Sequence, residues 1–363
     1  MNKKLLSNSW EEYLIVLLWI VFIGMLTQNT AVAGTIVYIQ KKPLLAINIT
    51  NKSIISDSLR KLKAEEFGGI TVKDGDVYYY IKGLNKSFNV LFLADTHFTV
   101  EDERGRDFYN YTKRMGGAAV EPENYGISNK REKALIASLD RAKEAGSELV
   151  ILGGDVLNFP SLASVDSLKS LLDTSGLNWT YIAGNHDWHY EGETGDSYSL
   201  REKWVHSNLE PLYQGANPMY NSQIIHSINF VTIDNSIFEI TNEQIAFLQN
   251  QIKKGLPIIL SMHIPIYLEG HNHNIDYGCG HPNWNNGNDS YYKIERREPW
   301  PEDGFTETTY QFRDLIINSS EIIGVFAGHT HKEAVDYFNN KIQYVSAANY
   351  NNNDILIHFL PVD

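Results

Sequence analysis

Five short apolar runs, each ending in a cluster of Asp, Asn or His, constrain this chain more than any other feature. Residues 90–94 end at Asp95, residues 149–152 lead through two glycines to Asp155, and residues 181–183 lead through Gly184 to Asn185. Residues 258–260 precede His263, and residues 322–327 precede Gly328-His329. Runs this short and this uniformly apolar read as strands buried on both faces. Helical spacing alternates with them at residues 129–145, 162–172, 242–253 and 309–317, and Thr241 with Gln244 gives a capping-box start. Apolar runs at 342–346 and 355–360 close the sheet. In sheets fed by helices, ligand sites gather at the carboxyl ends of strands.

The clusters are Asp95-Thr96-His97, Gly153-Gly154-Asp155, Gly184-Asn185-His186-Asp187, His263 within Ser-Met-His-Ile-Pro, and Gly328-His329-Thr330-His331. A single Gly-Asp or Asn-His pair can serve a turn, because Gly and Asn tolerate positive φ. Five in order, each after an apolar run, are not turn punctuation. The set resembles the calcineurin-like metallophosphoesterase family from about residue 89 to the C-terminus, with no ligand position missing. The resemblance implies an α/β fold of two packed mixed β-sheets flanked by helices, with the metal site at strand carboxyl ends. It assigns Asp95, His97 and His331 to one metal ion, Asn185, His263 and His329 to the other, and Asp155 to both. His186 then faces the phosphoryl group as the catalytic residue and assists the leaving group, with Asp187 orienting it. The implied reaction is hydrolysis of phosphomonoesters or phosphodiesters, with a metal-bridging hydroxide as nucleophile.

The residue types suit that chemistry. Asp95 and His97 are two apart, as are His329 and His331, so extended backbone would project each pair to one side. The two oxygens of Asp155 can reach two ions, and Gly154 admits close backbone approach. Two ions clamp the attacking and leaving oxygens of an in-line displacement and lower the pKa of bound water to about 7. Mixed imidazole, carboxylate and amide donors suit manganese, iron or zinc better than calcium or magnesium. A closed structural zinc site prefers a cysteine-rich set, and this chain has one cysteine. The purple acid phosphatase branch is disfavoured, since it carries Asp-x-Gly where this chain has Asp95-Thr96-His97, and a tyrosine where this chain has Asn158. Two other classes stand as alternatives: a catalytically weak binding scaffold on the same fold, and a metallo-β-lactamase-like hydrolase. The second rests on His271-Asn272-His273 with Asp276, a faint and misspaced match.

Lys3 and Lys4 precede the uncharged stretch 13–26, and Ala31-Val32-Ala33 gives an A-x-A-like cleavage site before Gly34. Residues 1–33 therefore read as a signal peptide of a secreted or periplasmic protein. Glu11 and Glu12 leave open an uncleaved N-terminal membrane anchor. The net charge of −13 argues against nucleic-acid binding through the general surface and leaves a small-molecule or lipid phosphate ester as partner. Cys279 excludes an internal disulfide and reads as a residue of a polar loop without a role. Residues 34–88 form a β-rich lead-in, with a helical pattern at 56–66 and an Asp74-Gly75 hairpin signal; residues 89–363 are the catalytic domain. Substrate choice is expected in two insertions. The first, 98–127, offers Arg104, Arg106, Lys113 and Arg114, either as a phosphate clamp or as a solvated loop. The second, 264–307, offers Tyr267, His271, His273, His281 and Trp284 as a pocket wall.

Overall fold

The computed structural model describes residues 36–39, 42–43, 69–115, 129–270, 278–280 and 305–362. Among the described residues, fourteen strands form two mixed sheets. In chain order they are β1 (Ile36–Ile39), β2 (Lys42–Pro43), β3 (Gly69–Lys73), β4 (Asp76–Lys82), β5 (Phe88–Leu93), β6 (Ser147–Gly153) and β7 (Trp179–Ile182). There follow β8 (Tyr220–Ile225), β9 (Ile228–Ile233), β10 (Ile258–Ser261), β11 (Ile322–Ala327), β12 (Ala334–Phe338), β13 (Lys341–Val345) and β14 (Ile355–Val362). The first sheet runs β2-β1-β3-β4-β14-β5-β6-β7 and the second β12-β13-β11-β10-β9-β8. In the first, β5, β6 and β7 are parallel neighbours; in the second, β9, β10, β11 and β13 are.

Strict alternation along the buried strands explains why their sequences are apolar throughout. Leu91 and Leu93 of β5 join one hydrophobic cluster with the helices, while Val90 and Phe92 join a second that fills the space between the sheets. Val150 and Leu152 against Leu149 and Ile151 repeat the pattern in β6, as do Ile258 and Leu260 against Ile259 in β10. Both faces of each strand are therefore dry. Between the sheets Phe92 meets Phe326 at 5.8 Å, and Phe88 meets Phe230 edge-on at 6.3 Å.

Helices α1 (Asn129–Glu144), α2 (Leu162–Ser175), α3 (Ser197–Trp204), α4 (Asn242–Ile252) and α5 (Glu307–Asn318) cover the outer faces. Thr241 and Gln244 close the expected capping box at α4, and the Ser161 hydroxyl caps α2 by accepting the Ser164 N–H. The Asp74-Gly75 turn joins β3 to β4, with φ of +55° and +84°. The hairpin belongs to the first sheet. It extends that sheet, because β14 pairs with β4 on one side and β5 on the other. Arg141 of α1 bridges Asp76 and Asp354, tying the hairpin to the start of β14. Residues 1–33 and the helical pattern at 56–66 lie outside the described residues. Among the described residues no helix is long and apolar enough to cross a membrane.

Candidate metal centre

All five polar clusters lie at strand carboxyl ends on one edge of the two sheets. Beyond β5 and β6 the loops zip together, with Asp95 N–H donating to the Gly154 carbonyl and His97 N–H to the Asp155 carbonyl, each at 2.9 Å. The sheets are joined by the Asp95 carboxylate, whose Oδ2 accepts the His329 N–H at 2.9 Å. This crowding sets the backbone. Asp95, His97, Asp155, His329 and His331 all have positive φ, between +47° and +73°. The extended conformation expected at the two His-x-His and Asp-x-His pairs is therefore wrong. Each left-handed residue costs about 1–2 kcal/mol, and the inter-loop hydrogen bonds hold them there.

The side chains form two donor clusters sharing one member: Asp95, His97, Asp155 and His331, and Asp155, His263 and His329. In the first, His97 Nε2 and His331 Nε2 face each other at 3.1 Å, and His331 Nε2 stands 3.3 Å from Asp95 Oδ1. Asp155 Oδ2 lies 3.9 Å from His97 Nε2 and 3.2 Å from His263 Nε2. Separations of this size are the edges of a coordination shell with bonds near 2.0–2.2 Å. Asp155 reaches both clusters through one oxygen rather than two, since its Oδ1 accepts the His186 N–H at 2.7 Å. Asp95 Oδ1, Asn185 Oδ1 and His263 Nε2 are buried without a hydrogen-bond partner. Buried polar atoms are rarely left so, and a divalent cation at each cluster would satisfy Asp95 Oδ1 and His263 Nε2. The donor set fits two such ions.

Second contacts fix the ring orientations. His97 Nδ1 faces Asn158 Oδ1 at 3.1 Å, and His263 Nδ1 faces the Gly153 carbonyl at 3.0 Å, so each Nε2 points inward. The Asn235 carboxamide oxygen accepts the His263 and Ile264 N–H groups, and the Arg131 guanidinium donates to the His97 carbonyl at 2.9 Å. Burial penalises the Asp155 carboxylate, yet the His263, His186 and His97 imidazoles hold it well below its usual range. Burial works against a charged His263 too, but Asp155 outweighs it and raises its pKa to about 9. Burial and the neighbouring His186 push His97 well down.

His186 is half-buried between buried neighbours, with its ring edge-on to His97 at 4.6 Å between centroids. Its Nδ1 faces the Asn158 carbonyl at 3.3 Å. Asp187 does not orient it. Both Asp187 oxygens point into the protein and accept the Leu157 and Gly184 N–H groups at 2.7 and 2.6 Å, and burial with the nearby Asp155 charge raises its pKa. Asp187 braces the loops that carry Asp155 and Asn185. The Arg104 guanidinium is paired with Asp102 and Asp166 at 2.7 Å each. Arg106 is exposed on the helical turn Glu103–Phe108, and Tyr267 is half-buried beyond β10, its N–H bonded to the Cys279 carbonyl. His271, His273, Asp276, His281 and Trp284 lie outside the described residues. Cys279 is buried rather than in a polar loop, its thiol donating to the Phe238 carbonyl at 3.2 Å.

Sequence reading missed Arg131, Asn235 and Tyr350, and it met Asn158 only as a departure from the purple acid phosphatase pattern. Asn235 carried a usable signal: residues 228–233 are a further apolar run ending in a polar cluster, Asp234-Asn235-Ser236.

A family model for calcineurin-like phosphoesterase matches residues 88–333. Among solved structures, the chain is similar to a dimetal phosphatase from Danio rerio, with 10% identity, coverage of 73% of this chain and 89% of that one, and a TM-score of 0.46. It is similar also to phosphopantetheinyl hydrolase from Mycobacterium tuberculosis, with 10% identity, coverage of 73% and 91%, and a TM-score of 0.35. A search of curated proteins gave no match.

Proposed function

The chain belongs to the calcineurin-like phosphoesterase family, and on that premise we propose that it hydrolyses phosphomonoesters or phosphodiesters using two divalent cations of the manganese, iron or zinc type. The observation that carries this reading is the pair of donor clusters sharing Asp155, with three buried donor atoms left without hydrogen bonds. Two cations bound there would neutralise phosphoryl charge and acidify the attacking water.

The chain's own residues supply the rest. Asp155 Oδ2 belongs to both clusters while Oδ1 holds the His186 backbone, so the shared ligand also places the catalytic imidazole. With Nδ1–H donated to the Asn158 carbonyl, His186 presents Nε2 to the substrate side. As imidazolium it donates a proton from Nε2 to the departing alkoxide. Arg131, bound to the His97 carbonyl, keeps that loop in its left-handed form. Residues 1–33 support export or membrane attachment facing outside. N-terminal sequencing of exported protein should begin at Gly34, and an intact Met1 in the membrane fraction would favour the anchor.

The direct test is a panel of phosphomonoesters, phosphodiesters and pyrophosphates, assayed with each divalent metal supplied in turn. The reading expects metal-dependent turnover of at least one ester class. A chain that binds two cations and hydrolyses none would support the binding scaffold instead.

A further inference from the structure

Each cluster imidazole needs a partner on Nδ1 if Nε2 is to face a cation, and for His331 that partner comes from an unexpected place. We propose that Tyr350 is a positioning residue for the first cation site: its hydroxyl accepts the His331 Nδ1–H and holds Nε2 toward Asp95 and His97. This deepens the phosphoesterase reading and rests on it.

The distances set the roles. His331 Nε2 lies 3.1 Å from His97 Nε2 and 3.3 Å from Asp95 Oδ1, so Nε2 is the atom aimed into the cluster. A neutral imidazole whose Nε2 holds a cation must carry its proton on Nδ1. The Tyr350 hydroxyl stands 3.2 Å from that Nδ1. His97 and His263 are held in the same manner by a buried amide oxygen and a backbone carbonyl. His331 is the exposed member, its side chain 38% accessible, and it takes its support from a side chain at the mouth of the site.

Tyr350 is well braced for the task. Its ring is edge-on to His331 and to His97, with centroids 5.5 and 5.7 Å away. The preceding Asn349 is fully buried: its N–H donates to the Ala94 carbonyl at 2.9 Å, its Oδ1 accepts the Thr96 hydroxyl and its Nδ2 donates to Ser138. The Tyr350 loop is thereby fastened beneath the same Asp95-Thr96-His97 loop whose cation it serves.

Removing an outer partner of a ligating histidine typically costs about 10–100-fold in metal affinity. The test is competition dialysis of the full chain with manganese against a chelator, for wild type, Tyr350→Phe, His331→Ala and the double variant. Tyr350→Phe keeps the ring and deletes the acceptor. The expected result is two manganese ions in wild type and one ion weakened about 10–100-fold in Tyr350→Phe. The second ion should be unchanged, as should thermal unfolding of the metal-free protein. On the His331→Ala background the same change should add nothing. Unchanged affinity for both ions, equal weakening of both, or an undiminished loss on the His331→Ala background would overturn the assignment. A wild-type chain that binds no manganese, iron or zinc would overturn the parent reading with it, whereas a normal two-ion Tyr350→Phe protein sinks only the Tyr350 inference.

Discussion

Replacing Gly154 by alanine should strike the metal centre through a single added methyl group. Gly154 has φ +92°, and a Cβ there would sit 2.5 Å from His263 Nδ1 and 2.6 Å from His263 Cβ and Cγ. Two costs combine. Left-handed backbone costs a non-glycine residue about 1–2 kcal/mol. Carbon contacts relax near 3.5–4.0 Å, so the buried imidazole must also retreat by about 1 Å, an overpacking cost of about 1–3 kcal/mol. Gly75 supplies the control, because it has φ +84° and, among the described residues, nothing within 4 Å of its added Cβ. Gly75→Ala should therefore lose about 1–2 kcal/mol and keep both metals. Gly154→Ala should lose about 2–5 kcal/mol in urea unfolding and bind the Asp155-His263-His329 cation far more weakly. Equal destabilisation in the two variants, with two metals retained in both, would refute the argument that this glycine exists to admit His263.

His186→Ala should leave metal content nearly intact and slow turnover about 10²–10⁴-fold with a poor alkoxide leaving group. With nitrophenolate, which leaves without a proton, the deficit should shrink; an equal deficit for both would rule out proton donation. Asp187→Asn should behave differently, because its amide nitrogen meets a backbone N–H that the carboxylate had accepted. About 1–3 kcal/mol of stability should go, with no leaving-group dependence, as urea melts and the same two substrates will show. Burial raises the Asp76 pKa, but bonds from His358, Arg141 and the Leu356 N–H outweigh it and hold the carboxyl below its ordinary range. A depressed folded pKa stabilises above the unfolded value, so this contribution is complete above about pH 4 and lost as pH falls below it. Asp76→Asn should flatten that part of the acid unfolding curve, and an unaltered curve would remove Asp76 from the account.

The strands and the clusters at their ends were readable because burial on both faces leaves a purely apolar run, with chemistry only where the run stops. Helices α1, α2, α4 and α5 were readable from spacing, and α4 also from its capping box. Helix α3, strand β12 and the β8–β9 hairpin were not: β8, Tyr-Asn-Ser-Gln-Ile-Ile, is a half-exposed edge strand with no alternation to betray it. The backbone of the ligands was also hidden. Left-handed φ at Asp95, His97, Asp155, His329 and His331 comes from loops of two sheets meeting, which no local residue choice signals. The same limit explains Asp187, whose adjacency to His186 suggested a pair, while the turn directs its carboxylate at Leu157 and Gly184. Asn158 and Tyr350 touch histidines far from them in sequence. The pairing of Arg104 with Asp102 and Asp166 depends on a helix residue 62 positions further on, which the loop's own sequence does not signal.

The central claim is that one carboxylate oxygen, Asp155 Oδ2, belongs to two cation sites at once. Elemental analysis of the metal-to-chain ratio, on wild type and Asp155→Asn purified in parallel, tests it most directly. Wild type should hold two transition-metal ions per chain. In Asp155→Asn, with the shared charge gone, both occupancy and ester hydrolysis should collapse together. An Asp155→Asn protein that keeps two ions and near-normal turnover would contradict it.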